Sequence, residues 1–244
     1  MMPHPLHPKL KELHMSGMLE TLDIRVEQAR IKQLSPLEFF ALMLDDEIGR
    51  RHQHRQDVRE KEAGFESSKL LSQFDFAAVP TLNRSVVLEM STCQFISRHE
   101  NWLIYGPTGV GKSHLAIAIG HEAISRNMNV YASSTHKLLA DIYAARADGT
   151  YRKRLNRLMN CDLLILDDFG LRPVSQVGAD DLYDIIQSRY EKKSIILTSN
   201  RAPEEWADVF GDGLLASAAL DRLTHHAHVT CITGDSYRQR QRNT

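Results

Sequence analysis

Over residues 1–62 apolar side chains recur at helical spacing and nowhere alternate: Leu10 and Leu13, then Met18, Leu19, Leu22, Val26 and Ala29. Intervals of three and four place such positions on one helix face, so the segment is predicted to be helical throughout. Gly17 is expected to divide this run into two helices, because glycine weakens a helix interior. Ser35-Pro36-Leu37-Glu38 marks a further start. Serine caps free amides, proline suits the first turn, and glutamate three positions on closes a capping box. The helix it opens is expected to bury Phe39, Phe40, Met43 and Leu44 and to end near Gly64.

Beyond a linker around FESSKLLSQFDF the pattern changes to short apolar runs separated by helical stretches. Strands are predicted at Trp102–Tyr105, Val130–Ala132, Leu163–Leu166, Ser194–Thr198 and Val229–Ile232. Helices are predicted from about Ser113, over Thr135–Ala147 and over Ala179–Glu191. Strands alternating with helices in this way predict an α/β fold, a parallel sheet covered on both faces. The chain divides into a helical N-terminal domain over 1–66 and an α/β domain over 67–244.

Composition narrows the function classes. Of 244 residues, 42% are apolar and 25% charged, an ordinary globular balance. Thirty basic against 31 acidic residues leave a net charge of −1, so attraction to nucleic acid must come from local patches. No apolar run approaches the ~18–20 residues of a membrane span, and the opening MMPHPLHPKL lacks the apolar core of a secretory signal. Cys93, Cys161 and Cys231 show no paired spacing, which suits a reducing cytoplasm and core or inert thiols.

Gly106-Pro107-Thr108-Gly109-Val110-Gly111-Lys112-Ser113 fills the pattern G-x-x-x-x-G-K-[ST], between a predicted strand and a predicted helix. A triphosphate meets there a ring of backbone N–H groups and the positive end of a helix. Glycines let the main chain curl around phosphate oxygens. Lys112 is expected to neutralise the β and γ oxygens, and the Ser113 hydroxyl to hold Mg²⁺. ATP and Mg²⁺ are the cofactors this pattern implies.

The strand Leu163–Leu166 ends in Asp167 and Asp168, adjacent carboxylates whose burial needs a cation or hydrogen bonds. Asp167 is assigned to the metal side and Asp168 to polarising the attacking water. Because successive strand residues point opposite ways, the two acids are expected to do different jobs. Asn200, after Thr198-Ser199, either hydrogen-bonds the γ-phosphate and water or belongs to an ordinary Asn-Arg turn.

LIYGPTGVGKSHLA, LLILDDFG, ILTSNRAPEEW, LDRLTHHA and GDSYR, in that order, resemble the IstB-like helper ATPases of bacterial transposons, relatives of the DnaC-type helicase loaders within the AAA+ superfamily. The phosphate loop and double acid are generic; the TSN-x-x-P-x-x-W, DRL-x-H-H and GDSYR stretches are more specific. The resemblance implies an AAA+ core with the Asn200 strand inserted between the phosphate-loop strand and the double-acid strand. It makes Asn200 a sensor residue and Arg222 an arginine finger reaching a neighbouring subunit's nucleotide; a salt bridge to Asp221 is the structural alternative. It implies an ATPase that forms homo-oligomers on double-stranded DNA without strong sequence preference and serves a cognate transposase during target selection, with partner contacts in the N-terminal domain. Two features depart from the superfamily: Asp168 stands where many relatives carry glutamate, and too little chain follows Ile232 for a helical lid, leaving Arg238 as the one candidate second sensor.

Three basic stretches qualify as DNA contacts: Arg50 to Lys61, Tyr151 to Arg157, and Arg238, Arg240 and Arg242. His225, His226 and His228 lack a fourth ligand at metal-site spacing. A helicase loader has the same engine and a different client, a small-molecule kinase needs an acceptor pocket and a closing lid, and a nucleotide-gated scaffold binds ATP while barely turning it over.

Overall fold

The computed structural model describes residues 4–211 and 213–237. Two compact units divide the chain, Met1–Val58 and Arg59–Thr244. The first is helical, with α1 (His7–Glu12), α2 (Ser16–Lys32) and α3 (Pro36–Ala63), whose last turn belongs to the second unit. The capping box forms: Ser35 N donates to Glu38 Oε2 at 2.8 Å and Glu38 N to Ser35 Oγ at 3.3 Å.

Gly17 does not break the helix. The interruption falls at residues 13–15, and Gly17 is buried in the first turn of α2. A Cβ there would stand 2.5 Å from the Asp46 carbonyl oxygen and 2.7 Å from the Glu47 Cα, so its bareness lets α2 and α3 cross at backbone contact. Glu47 then caps α2 from the other helix, accepting from the free first-turn amides of Gly17 at 2.8 Å and Met18 at 3.3 Å. Asp46 accepts from Thr21 Oγ1 at 2.7 Å and from the Arg25 guanidinium at 2.7 and 2.8 Å. Burial follows the sequence reading only in part. Met43 is buried with Met18 and Leu22, and Phe39 packs beside them. Phe40 and Leu44 are instead 56% and 39% exposed, on a second apolar stripe of α3 with Leu37 and Ile48. Helical spacing groups apolar positions into stripes without saying which stripe meets the core.

In the second unit α4 (Arg84–Ser91) and α5 (Gln94–Ser97) lead into β1 (Asn101–Tyr105), which is followed by α6 (Lys112–Ser125), β2 (Val130–Ser134), α7 (Thr135–Ala147) and α8 (Tyr151–Asn160). Next come β3 (Leu163–Phe169), α9 (Gln176–Arg189), β4 (Ser194–Ser199), α10 (Ala207–Phe210), α11 (Gly213–Thr224) and β5 (Ala227–Cys231). The five strands form one parallel sheet in the order β2-β3-β4-β1-β5, with β4 inserted between β3 and β1. Among the described residues no helical domain follows β5.

Period-two alternation sorts the core into two layers. Trp102, Ile104, Leu163, Ile165 and Ile196 meet Leu115, Ile119 and Ala123 of α6. Leu103, Leu164, Leu166, Ile195 and Leu197 meet α7, α9 and α11 through Leu138, Ile142, Leu182, Ile185, Ala219 and Leu223. Burial on both faces explains why these strands read as continuous apolar runs.

Long-range polar ties secure the second layer. The Arg189 guanidinium, fully buried, donates to the carbonyls of Leu158, Cys161, Asp162 and Ser194. The buried Asp181 of α9 accepts from Arg146 of α7 and Tyr151 of α8. The Leu158 carbonyl bonded by Arg189 and the Tyr151 hydroxyl bonded to Asp181 thus hold α8, the middle basic stretch, against its neighbours.

Candidate functional site

The glycine-rich loop joins β1 to α6, and its conformation is one that side chains resist. Gly106 has φ +144, and a Cβ on it would lie 1.9 Å from the Ile232 carbonyl oxygen. Pro107 and Thr108 are exposed at the tip, while Val110 is buried among the residues of the α6 layer. The segment after β5 returns to the loop: Tyr237 N donates to Gly109 O at 3.0 Å. Arg238 lies outside the described residues.

Lys112 is 5% exposed, and its Nζ donates to Gly106 O at 2.8 Å, Pro107 O at 2.7 Å and Asn200 Oδ1 at 2.7 Å. Burial lowers its pKa from the usual lysine value, while the charges of Asp168 and Asp167 partly restore it. A buried ammonium held by loop carbonyls and one amide, with two carboxylates near, suits a polyanion far better than a packed core does. Ser113 Oγ donates to Asp167 Oδ1 at 2.8 Å, so hard oxygen donors of the kind Mg²⁺ takes stand side by side. Lys112, Ser113, Asp167, Asp168 and Asn200 border one cavity of about 540 Å³ together with Thr108–Gly111.

That both acids reach this cavity departs from strict alternation. Pairing of β3 with β4 is regular up to Leu166↔Leu197 and then shifts, so that Phe169 faces Ser199. Asp168 sits at φ +52 within this bulge. Leu164 and Leu166 belong to the α9 layer, and alternation would send residue 168 there next. Phe169 takes that place instead, packed on Trp206 at 5.2 Å between ring centroids. Trp206 in turn donates Nε1 to Arg201 O at 3.0 Å, anchoring the loop after Asn200.

The linker lines another part of the cavity with polar side chains, Glu66, Lys69, Gln73 and Asp75, and two apolar ones. Phe74 and Val79 line it with His114, whose ring stands edge-on to Phe74 at 5.3 Å and whose Nε2 meets Leu70 O at 2.9 Å. Sequence reasoning passed over these residues; the aromatic pair in FDF was the available signal. Thr198 was also missed, and its hydroxyl contacts both acids.

Arg222 lies outside this cavity, in the last turn of α11. Its Nη1 donates to Ala218 O at 2.7 Å and its guanidinium stands over the rings of Tyr183 and Tyr190 at 5.6 and 5.9 Å. Among the described residues it makes no ion pair with Asp221, and its buried Nε has no hydrogen-bond partner. The histidine trio does not assemble: His228 Nε2 bonds Glu100 Oε2 at 2.8 Å. Glu191, His225 and His226 bring donor atoms within 4.8 Å of one another at an exposed turn.

Of the basic stretches, Arg50 and Arg51 pair with Glu20 and Glu47, and Arg59 donates to Asn127 and Asn129. On α8, Arg152 and Lys153 are exposed, Arg154 lies 3.7 Å from Asp141, and Arg157 stands over the Tyr131 ring. Arg240 and Arg242 lie outside the described residues. Cys93 and Cys161 are buried core thiols, with burial pushing Cys93 up to about 11, whereas Cys231 is exposed. No helix among the described residues is long and apolar enough to cross a membrane.

Sheet order, the glycine loop after β1 and the acid tip of β3, with β4 between them, define an ATP-binding protein of the AAA+ P-loop class. Solved structures agree. A DNA replication initiation factor matches with TM-score 0.58 and 28% identity over 69% of this chain and 50% of that one. The replication initiator DnaA bound to AMPPCP and single-stranded DNA matches with TM-score 0.56 and 27% identity over 68% and 50%. The chain therefore spans about half the length of these initiator structures. DnaI, at TM-score 0.58 and 24% identity over 67% of this chain and 90% of that one, shares the fold. More particularly, the chain belongs to the IstB-like ATP binding protein family, whose sequence model matches residues 8–244. It is 39% identical to a protein named as the ATP-binding protein of insertion sequence IS21 in Pseudomonas aeruginosa, over 96% of this chain and 87% of the relative. A protein named for ATP binding in an insertion sequence of Mycobacterium tuberculosis is 37% identical over 97% and 95%.

Proposed function

We propose that this protein hydrolyses Mg²⁺-bound ATP while assembled as a homo-oligomer on double-stranded DNA, and serves a cognate transposase in selecting target DNA. The observation that carries the reading is the convergence of Lys112, Ser113, Asp167, Asp168 and Asn200, from the start of α6, the end of β3 and the turn after β4, on one cavity. The backbone of Gly106 to Ser113 cradles the phosphates and Lys112 binds the β and γ oxygens. Ser113 and Asp167 hold Mg²⁺, which when bound neutralises phosphate charge. Asp168 orients and polarises the attacking water, and Asn200 holds that water and the γ-phosphate in line. Arg222, outside its own subunit's cavity, serves the nucleotide of a neighbour, so turnover depends on assembly. The exposed Arg152 and Lys153 on the tethered α8 contact DNA phosphates, a modest patch multiplied around an oligomer. The helical domain over 1–66 carries partner and subunit contacts, and the relatives' names support the transposase as client.

The test is phosphate release by the full-length protein with and without duplex DNA. Duplex DNA is expected to stimulate it, Lys112→Ala to abolish ATP binding and assembly, and Arg222→Ala to bind ATP but turn over poorly. Mixing Arg222→Ala with Asp168→Asn subunits restores activity if the arginine acts across subunits; failure of every mixture refutes that arrangement. Retention of a hexameric helicase in place of the transposase in a pull-down would identify a loader instead.

A further inference from the structure

The bulge at the end of β3 removes backbone groups from the β3–β4 ladder just where the two acids stand. Residues 167–169 of β3 span what residues 198 and 199 span on β4. Buried amides and carbonyls that lose ladder partners must find others. Here hydroxyls supply them. Thr135 Oγ1 donates to Asp167 O at 3.2 Å, and Ser199 Oγ donates to Phe169 O at 2.8 Å. Thr198 Oγ1 accepts from Asp168 N at 3.1 Å. The same Thr198 oxygen donates its one proton to Asp167 Oδ1, the oxygen that also accepts from Ser113. Thr198 is fully buried, so its hydroxyl has no water to turn to.

We infer that Thr198 is the positioning residue for both carboxylates, acting through a single hydroxyl. Its proton aims the Asp167 carboxylate at Ser113. Its lone pair holds the Asp168 amide, and with it the left-handed turn at φ +52 that leaves the buried place in the α9 layer to Phe169 and sets Asp168 at the border of the phosphate cavity. A non-glycine residue keeps such a φ only where surrounding bonds over-determine it, and the Thr198 bond is made to Asp168's own amide. The inference rests on the roles proposed above for Asp167 and Asp168. Thr198 is absent from the cavity lining.

The full-length protein with Thr198→Val, of the same shape but without the hydroxyl, tests this against Thr198→Ser, which keeps it. With duplex DNA and Mg²⁺-ATP, Thr198→Val is expected to lower kcat by about 10–100-fold, the scale of a misplaced catalytic group. ATP affinity and KM should stay within about twofold, since the loop that grips phosphate is untouched, and Thr198→Ser should hold kcat within roughly threefold of the parent. A Thr198→Val protein with parental kcat, an equal loss in Thr198→Ser, or a loss confined to KM overturns the inference. Should Thr198→Val not fold, Thr198→Ala, which adds no methyl against the Asp168 amide, carries the same expectations. A crystal structure of the folded variant gives an answer independent of turnover: Asp168 should leave the left-handed region, and an unchanged φ overturns the inference. A parent protein that binds ATP yet releases no phosphate on DNA refutes the hydrolytic reading alone, and the crystallographic comparison then decides Thr198.

Discussion

The helical unit and the ATP-binding unit reach stability by different means. In the first, three residues, Met18, Leu22 and Met43, are buried together, and the crossing of α2 and α3 leans on Glu47 and Asp46. In the second, two apolar layers enclose the sheet from both sides and polar groups gather at the strand ends. A thin core makes a unit depend on a few bonded carboxylates, whereas a thick one lets carboxylates be reserved for a site. The contrast also concerns glycine. Gly17 in the helix pair and Gly106 in the phosphate loop both sit against backbone, but only Gly106 also has positive φ.

The sharpest break is therefore Gly106→Ala, which adds a carbonyl clash to backbone strain and is expected to cost more than about 3 kcal/mol, with loss of ATP binding. Gly17→Ala meets only the clash, partly offset by alanine's roughly 1 kcal/mol advantage inside helices, and should loosen α2 from α3 while ATP binding persists. Thermal melting with ATP titration reads both. Next come matched truncations. Leu164→Ala and Leu22→Ala each remove a buried leucine, at about 2–5 kcal/mol. Hydrogen exchange on the full chain should show Leu22→Ala erasing protection in the helix pair, and Leu164→Ala lowering it across a sheet that stays folded.

Acid should part the units further. The Arg25 hydrogen bond holds Asp46 below the usual aspartate value. Burial pushes Glu47 upward, but Arg51 and the amides of Met18 and Gly17 outweigh it and hold Glu47 low. Both groups bind protons less readily folded than unfolded, so their stabilisation is present near neutrality and lost as pH falls below about 4. Asp162 is a counterpart in the second unit: burial raises it, and the Asn129 amide and Lys193 more than compensate. With two such groups and three buried apolar residues, the helix pair should lose exchange protection at higher pH than the sheet; simultaneous loss would contradict the comparison. The smallest effect is expected from Ser35→Ala, which removes one half of the capping box and should fray the first turn of α3 by about 1 kcal/mol or less, seen as faster exchange at residues 37–39.

Much of the site was legible because its chemistry is local. A loop of eight consecutive residues from Gly106 to Ser113 carries its own geometry, and an apolar run ending in two acids announces a strand tip. Sheet order followed from the resemblance rather than from periodicity. The disposition of Asp168 was not legible, because alternation assumes an unbroken ladder, whereas the backbone groups at the bulge bond hydroxyls of β4 and α7. Phe74 escaped notice since a linker has no periodicity to mark it, and Phe40 and Leu44 were misplaced since spacing alone does not rank two stripes of one helix.

By itself, then, the sequence determined what depends on neighbours along the chain: the helix starts, the strand runs, the phosphate loop and the nature of the groups beside it. Only the tertiary structure decided what depends on residues far apart in sequence meeting in space. A glutamate 30 positions away caps α2, a threonine 30 positions away accepts from the Asp168 amide, and the Arg189 guanidinium ties α8 to the sheet. Directional bonds of this kind exist only once packing has excluded water, and no local pattern encodes them.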